Sequence, residues 1–249
     1  MADKDPAAKP KEPPKPVHIG GESLLDRLLP HLKKIIVGII VLAVVLTIIF
    51  AIRWFKERKQ IAATEKLVPV MEVVDKPVLP GEKPDPKTPS FPGTKEKAAA
   101  VLDTMTKQGT DTPTPAFKAS MLVDAGRLDE AIDVYKKCIA DTSLAKQIDG
   151  VLCREGLGLA QEAKATAEKD STARQKGLEE ALATFQSMQP DEAGPRRAYA
   201  LYHTARMQLL LGKKADAKAS FEKAKEANKE MDREIADMIE KRLAALGAS

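Results

Sequence analysis

The sequence predicts an all-α protein, in which a single transmembrane helix is followed by a solenoid of helical hairpins and a C-terminal capping helix. An uninterrupted apolar run covers Ile35 to Ile52. From Thr94 to Leu246 the chain is rich in Ala, Lys, Glu and Leu, and Gly and Pro occur only at intervals, as they do at the ends of helices. Aromatic residues make up 4% of the 249 residues, which is too few for an all-β sandwich.

The chain begins with a segment that we expect to be disordered. Residues 1–23 combine prolines, lysines and acids with almost no large apolar side chain, so they cannot bury enough surface to offset the entropy lost on ordering. Residues 24–34 then show an amphipathic leucine pattern, which Pro30 interrupts. This pattern predicts a short juxtamembrane segment.

The predicted transmembrane helix covers residues 35–55. Its eighteen apolar residues, without a charge or a proline, span about 27 Å, close to the thickness of a bilayer core. Trp54 and Phe55 follow, as aromatic residues do at a membrane interface. A buried core helix would need apolar partners on every side, and a cleaved signal peptide would end in small residues rather than in Ile52-Arg53. The sequence therefore favours an uncleaved single-pass anchor.

Charge alone leaves open which side of the membrane holds the C-terminal part. Lysines and arginines flank the span on both sides, and their slight excess after it favours a cytoplasmic C-terminal side. They are Lys15, Arg27, Lys33 and Lys34 before the span, and Arg53, Lys56, Arg58, Lys59 and Lys66 after it.

Three regions follow the span. Residues 56–73 continue the helical pattern and are predicted to form a helical extension. Residues 74–93 contain six prolines, which exclude a helix or a central strand and predict an extended linker. Residues 94–249 form the predicted helical domain.

Two segments of this domain share one spacing of small and aromatic residues. A small residue lies seven positions before a glycine, an alanine five after it, an aromatic nine after it and a small residue twelve after it. A third, stretched copy places 23 residues between Gly158 and Ala181, so its extra residues either lengthen two helices or form a loop. The predicted packing residues of the three copies are Ala119, Gly126, Ala131, Tyr135, Gly158, Ala181, Phe185, Ala205, Gly212, Ala217, Phe221 and Ala224.

This spacing resembles the tetratricopeptide repeat, in which small residues let two antiparallel helices approach and an aromatic fills the groove to the next helix. A final amphipathic segment from Met231 to Leu246 is typical of a capping helix. The resemblance implies that the first helix of each pair lines a concave face, where protein partners bind. In this chain that face would carry Ser120, Glu155, Leu159, Tyr199, Tyr202, Arg206 and Leu209, unless the tyrosines simply pack between repeats.

The chain lacks a recognisable catalytic or cofactor motif. Gly156-Leu-Gly158 superficially resembles a dinucleotide loop, but it follows no strand and lacks a third glycine, so we interpret it as helix packing. His18, His31 and His203 have no partner ligand at a suitable spacing, so we predict neither a metal site nor a general base. The interspersed charges, with a net charge of +4, do not form a nucleic-acid-binding stripe.

The two cysteines allow two interpretations. Cys138 and Cys153 lie 15 positions apart, at the end of one predicted helix and the start of the next. In an oxidising compartment they could form a disulfide, whereas in a reducing one they would be small buried residues. Because Cys138 occupies a small-residue packing position, the sequence favours buried thiols.

The whole layout resembles that of bacterial YfgM-like proteins, most specifically at TPAFKASMLVDAGRLDEAIDVYKK and at the C-terminal helix EIADMIEKRLAAL. The resemblance implies an inner-membrane protein with a periplasmic C-terminal domain. It further implies association with the SecYEG translocon and with periplasmic chaperones such as the prolyl-isomerase-like protein PpiD. The long proline-rich linker and the basic residues at 53–59 are departures from the family's pattern.

These observations lead to one main functional hypothesis and two alternatives. The main hypothesis is a non-catalytic, membrane-anchored scaffold that binds polypeptides, with no cofactor, small-molecule substrate or nucleic acid, and that assists secreted or membrane protein biogenesis. The second places the same domain in the cytoplasm as a docking receptor for soluble partners. The third is an enzyme without a recognisable motif, which the sparse histidines and cysteines disfavour.

Overall fold

The computed structural model describes residues 31–81, 89–110, 113–145, 147–228 and 232–247. The chain divides into two compact units, residues 1–59 and 60–249, and the boundary falls inside one long helix. The described residues contain nine α-helices and no strand beyond one isolated bridge, which confirms the all-α prediction. The predicted disordered tail, residues 24–30 of the amphipathic segment and residues 82–88 of the predicted linker lie outside the described residues.

The helices follow one another with short connections. They are α1 (Leu32–Val74), α2 (Thr94–Gln108), α3 (Pro115–Asp124), α4 (Leu128–Ala140), α5 (Ile148–Ala167), α6 (Ser171–Gln186), α7 (Arg197–Leu210), α8 (Lys214–Asn228) and α9 (Arg233–Gly247).

Helix α1 contains the apolar run and is the one described helix that is long and apolar enough to cross a membrane. None of its most apolar window is buried inside the protein, and Ile39 is 60% exposed. A core helix of a soluble protein would instead bury such side chains. The structure thus disfavours the core-helix alternative for residues 35–55.

The last turns of α1 belong to the second unit. Val70 is fully buried and packs with Val101 and Met105 of α2. The two ends of the proline-rich segment pair with each other, since the Leu79 N–H donates to the Phe91 carbonyl and the Phe91 N–H to the Pro77 carbonyl, both at 2.9 Å. The end of the predicted helical extension therefore packs on the first helix of the helical domain.

The second unit is a series of helical hairpins. Helices α3 and α4, α5 and α6, and α7 and α8 form three packed pairs, while α2 packs on α3 and α9 packs on α8 and α7. The first and third pairs turn at Gly126 and Gly212, whose φ values of 77° and 75° lie in the left-handed region that glycine adopts without strain. In the stretched second pair the extra residues lengthen the helices, to 20 residues in α5 and 16 in α6.

The predicted packing residues of the repeats lie in the core or in the turns between helices. Ile235 and Ile239 of α9 are likewise fully buried and close the far end of the domain. The buried packing residues are Ala119, Ala131, Tyr135, Gly158, Ala181, Phe185, Ala205, Ala217, Phe221 and Ala224, and the turn residues are Gly126 and Gly212.

Helix α5 receives an aromatic ring from the helix on each side of it. A Cβ added to Gly156 would lie 2.3 Å from Cζ of Tyr135 in α4, and one added to Gly158 would lie 2.6 Å from Cε1 of Phe185 in α6. Atoms of a side chain do not approach so closely, so both positions need glycine at this backbone separation. The two glycines of the Gly-Leu-Gly motif therefore allow α5 to pack closely against the aromatic rings of α4 and α6.

Cys138 and Cys153 form a disulfide between α4 and α5, with the two sulfurs 2.06 Å apart. Both residues are also buried, at 3% and 0% exposure. The sequence preference for free buried thiols was therefore wrong. The antiparallel packing of α4 on α5 places the end of one helix beside the start of the next, so burial and bonding occur together.

Candidate protein-interaction face

The candidate site is built on the first helices of the three hairpins, α3, α5 and α7. Helix α3 packs on α5, and side chains of α5 pair with side chains of α7 and of the turn that precedes it. We use the term first-helix face for the predicted residues on these helices, the exposed apolar side chains beside them, and Glu162, which pairs with Arg206. The face comprises Ser120, Ile148, Leu152, Glu155, Leu159, Glu162, Tyr199, Tyr202, Arg206, Leu209 and Leu210.

Glu155 is the most buried charged residue of this face, with 9% of its surface exposed. Its carboxylate accepts a hydrogen bond from Arg196, and Nε2 of His203 lies 3.4 Å from Oε1. Burial alone would raise the pKa of Glu155, but the hydrogen bonds from His203 and Arg196 outweigh it and hold the pKa below its usual value. Glu155 is thus an ionised carboxylate that holds two helices together.

A second ion pair lies farther along the same two helices. Arg206 pairs with Glu162, and its Nη1 lies 2.8 Å from Nδ1 of His203. Because a guanidinium can only donate, Nδ1 of His203 must accept, which places the ring proton on Nε2, toward Glu155. His203 also stacks on Phe185, with ring centroids 4.7 Å apart. The charge contacts of this cluster connect α5 with α7, and the ring contact connects α7 with α6.

Tyr199 has a fixed position at the edge of the face. The guanidinium of Arg196 lies 4.0 Å from its ring centroid, and its hydroxyl donates to Oδ2 of Asp232 at 2.8 Å. Burial and the Asp232 carboxylate raise the pKa of Tyr199 to about 12, so the hydroxyl stays protonated as a donor. The same hydrogen bond is the main reason why the pKa of Asp232 is lowered.

The structure separates the other predicted face residues by exposure. Tyr202 is 6% exposed and packs with Phe221, so it belongs to the core between α7 and α8. Leu209 is partly buried against the same core. Ser120 is half-buried, and its hydroxyl donates to the carbonyl of Phe117 within α3. Of the predicted set, Leu159 presents the most open apolar surface, at 39% exposure.

Three exposed apolar residues beside this set were not predicted. Ile148 and Leu152 continue the stripe of Leu159 along α5, and Leu210 lies one turn beyond Arg206 on α7. The sequence does carry a signal for this stripe, because Ile148, Leu152 and Leu159 are spaced so that they lie on one face of a helix. The repeat spacing does not assign that face to the core. The stripe and the ion pairs together form a surface of apolar patches around a fixed polar centre, which is suited to binding polypeptide.

Elsewhere in the domain the structure shows two open grooves with mixed charges. One, of about 420 Å³, lies between α4, α5 and α6, and the other, of about 590 Å³, lies between α2, α3 and α4. Each groove is lined by both basic and acidic side chains, together with apolar ones. Among the described residues no group of three or more His, Cys, Asp or Glu side chains is arranged to hold a metal ion.

Comparison of the chain with protein-family models, with curated proteins and with solved structures finds no match. The class that the fold itself defines is an all-α protein with one candidate membrane span and a domain of helical hairpins. The resemblances to tetratricopeptide repeats and to YfgM-like proteins remain predictions.

Proposed function

We propose that this protein is a non-catalytic, membrane-anchored scaffold that binds polypeptides through its first-helix face. In this proposal α1 anchors the chain in a bacterial inner membrane and the helical domain lies in the periplasm. There it assists the biogenesis of secreted or membrane proteins near the Sec translocon. Its partners would be SecYEG subunits, periplasmic chaperones such as PpiD, or unfolded clients.

The Cys138–Cys153 disulfide is the observation that carries the periplasmic placement. Disulfides persist in the periplasm and other oxidising compartments, whereas the cytosol keeps thiols reduced. The bond joins two helices of the domain core, and its sulfurs are shielded from solvent, as in a structural disulfide. It therefore favours the periplasmic orientation over the cytoplasmic docking receptor, which only the slight excess of basic residues after the span supports.

The form of the first-helix face supports protein binding as the activity. Leu152, Leu159 and Leu210 are 37%, 39% and 48% exposed. Arginine and tyrosine are enriched at interaction hot spots. On this face the ion pair with Glu162 holds Arg206 in place, and the hydrogen bond to Asp232 holds Tyr199. Such preorganisation lowers the entropy lost when a partner binds.

Topology and disulfide state can be tested on the same cells. A C-terminal reporter active only outside the cytoplasm should be active, and its cytoplasmic counterpart should be silent. Thiol alkylation of the denatured chain should label Cys138 and Cys153 only after reduction. Silent external reporters or free thiols would exclude the periplasmic placement and favour the cytoplasmic receptor.

Partner binding is tested by site-specific crosslinking in the full-length chain. A photocrosslinking amino acid at Leu159 or at Leu210 should yield adducts with translocon subunits, PpiD or nascent clients. The control position is Glu222, an exposed residue of α8. Equal adduct yields at all three positions, or none at any of them, would refute binding through the first-helix face.

A further inference from the structure

A ring of cations surrounds α1 directly after the apolar run. Arg53, Lys56, Arg58 and Lys59 fall within seven residues, with Glu57 as the only acid among them. We call these four residues the basic collar. Trp54 and Phe55 lie within it, with ring centroids 5.3 Å apart in an edge-to-face arrangement.

The collar encircles the helix. At about 100° per residue, Arg53, Lys56 and Lys59 follow each other in steps of about 60° around the axis, and Arg58 lies on the opposite side. The guanidinium of Arg58 is 4.3 Å from the ring centroid of Trp54, so the two side chains share that side. Cations are thus presented on opposite sides of the helix, and the widest gap between two of them is about 140°.

No ion pair neutralises the four cations of the collar in the described part of the chain. All four side chains are exposed, and none pairs with a carboxylate in the part of the chain that the structure describes. Elsewhere on the surface, lysines and arginines do find partners, such as Lys107 with Asp103 and Lys225 with Glu240. The collar is therefore a concentrated positive charge, offset only in part by Glu57, next to an apolar segment.

A membrane surface supplies the matching chemistry. If the apolar run up to Ile52 fills the hydrocarbon core, the next two turns lie at the depth of the lipid headgroups. Anionic headgroups there would face the cations, while the indole of Trp54 lies among glycerol and upper acyl carbons. We propose that the basic collar binds the headgroups of anionic phospholipids and enriches these lipids around α1. This inference rests on the membrane insertion in the proposed function.

Trp54 allows a direct test, because it is the only tryptophan in the chain. The full-length protein is reconstituted into vesicles that contain phosphatidylcholine and phosphatidylglycerol. In one set of vesicles the phosphatidylcholine carries brominated acyl chains, and in the other set the phosphatidylglycerol carries them. Bromine quenches indole fluorescence on contact, so the two quenching curves give the relative affinity for each lipid at Trp54. One cation at a membrane surface is worth about fivefold in affinity, and we expect a preference for phosphatidylglycerol of at least that size.

Matched variants connect the preference to the collar. R53Q/K56Q/K59Q leaves only Arg58, whose charge Glu57 offsets, so it should reduce the preference to near unity. K56R/K59R should retain the preference. K33Q/K34Q, which removes two cations at the other end of the apolar run, should leave the preference at Trp54 unchanged. Arg58 is kept in every variant, because its contact with the indole would alter the fluorescence itself.

The possible outcomes separate the two proposals. Strong but equal quenching by both lipids would overturn the lipid preference and leave membrane insertion intact. No quenching by either lipid would overturn insertion and the preference together. A preference that inorganic phosphate abolishes at constant ionic strength would identify a site for free phosphate and overturn the lipid assignment.

Discussion

Replacing Gly158 by alanine tests the packing that holds the middle hairpin together. The new Cβ would lie 2.6 Å from Cε1 of Phe185 and 2.7 Å from its Cζ. Phe185 is fully buried and stacks on His203, so its ring cannot move without displacing the core. The aromatic ring and the methyl group therefore compete for the same space.

The magnitude follows from two opposing effects. Overpacking a filled core costs about 1–3 kcal/mol, whereas alanine in place of glycine favours a helix by about 1 kcal/mol. The difference is a net loss of up to about 2 kcal/mol in the free energy of unfolding. For a domain of this size, a loss of about 2 kcal/mol corresponds to a fall of roughly 4–8 °C in melting temperature.

The assay is thermal and urea unfolding of the full-length chain in detergent, followed by far-UV circular dichroism. Gly247→Ala is the matched control, because its new Cβ would meet no atom within 4 Å. The double variant G158A/F185L should lose less stability than the sum of the two single variants, since leucine vacates the space that the methyl group needs. A Gly158→Ala variant more stable than wild type would refute the close contact between α5 and α6.

Three further predictions concern the disulfide, the buried carboxylate and the capping helix. The double variant C138A/C153A should lose about 3 kcal/mol in the free energy of unfolding, as expected for a cross-link that closes a loop of about 15 residues. Wild type unfolded in reductant should show a similar free energy of unfolding. The folded-state pKa of Glu155 is lowered, so its contribution to stability is present above the usual value of 4.5 and is lost as pH falls through the lowered pKa. The stability of Glu155→Gln should therefore depend less on pH between 5 and 3 than that of wild type. Ile235→Ala should lower the free energy of unfolding by about 3 kcal/mol, since the side chain is fully buried. In this variant limited proteolysis should cut α9 before the other helices.

Much of the fold could be predicted from local sequence patterns. The apolar run of α1, the helical periodicity after residue 94 and the turns at Gly126 and Gly212 each depend on neighbouring residues alone. Small and aromatic residues at fixed distances from a glycine likewise identified positions that are buried in the structure, such as Ala131 and Phe221. A helix and its turn are determined over a few residues, so sequence spacing is a sufficient guide to them.

The candidate site was predicted less completely, because its properties depend on contacts between distant residues. Leu159 and Arg206 lie on the first-helix face and are open enough to contact a partner, but Tyr202 is buried between helices. The ion pairs of Glu155 with Arg196 and of Glu162 with Arg206 join residues more than forty positions apart. The rotation of each helix about its axis determines which side chains face its neighbour, and the repeat register alone does not specify it.

The sequence by itself determined the helical class, the candidate membrane span and the positions of small residues along the hairpins. Only the tertiary structure decided that Cys138 bonds Cys153, that the end of α1 packs on α2, and that His203 lies between Glu155 and Arg206. The physical reason is one of range. Local propensity and hydrophobic periodicity act over one or two helical turns, whereas a disulfide, an ion pair or a helix contact requires two separate segments to arrive at the same place with matching orientation.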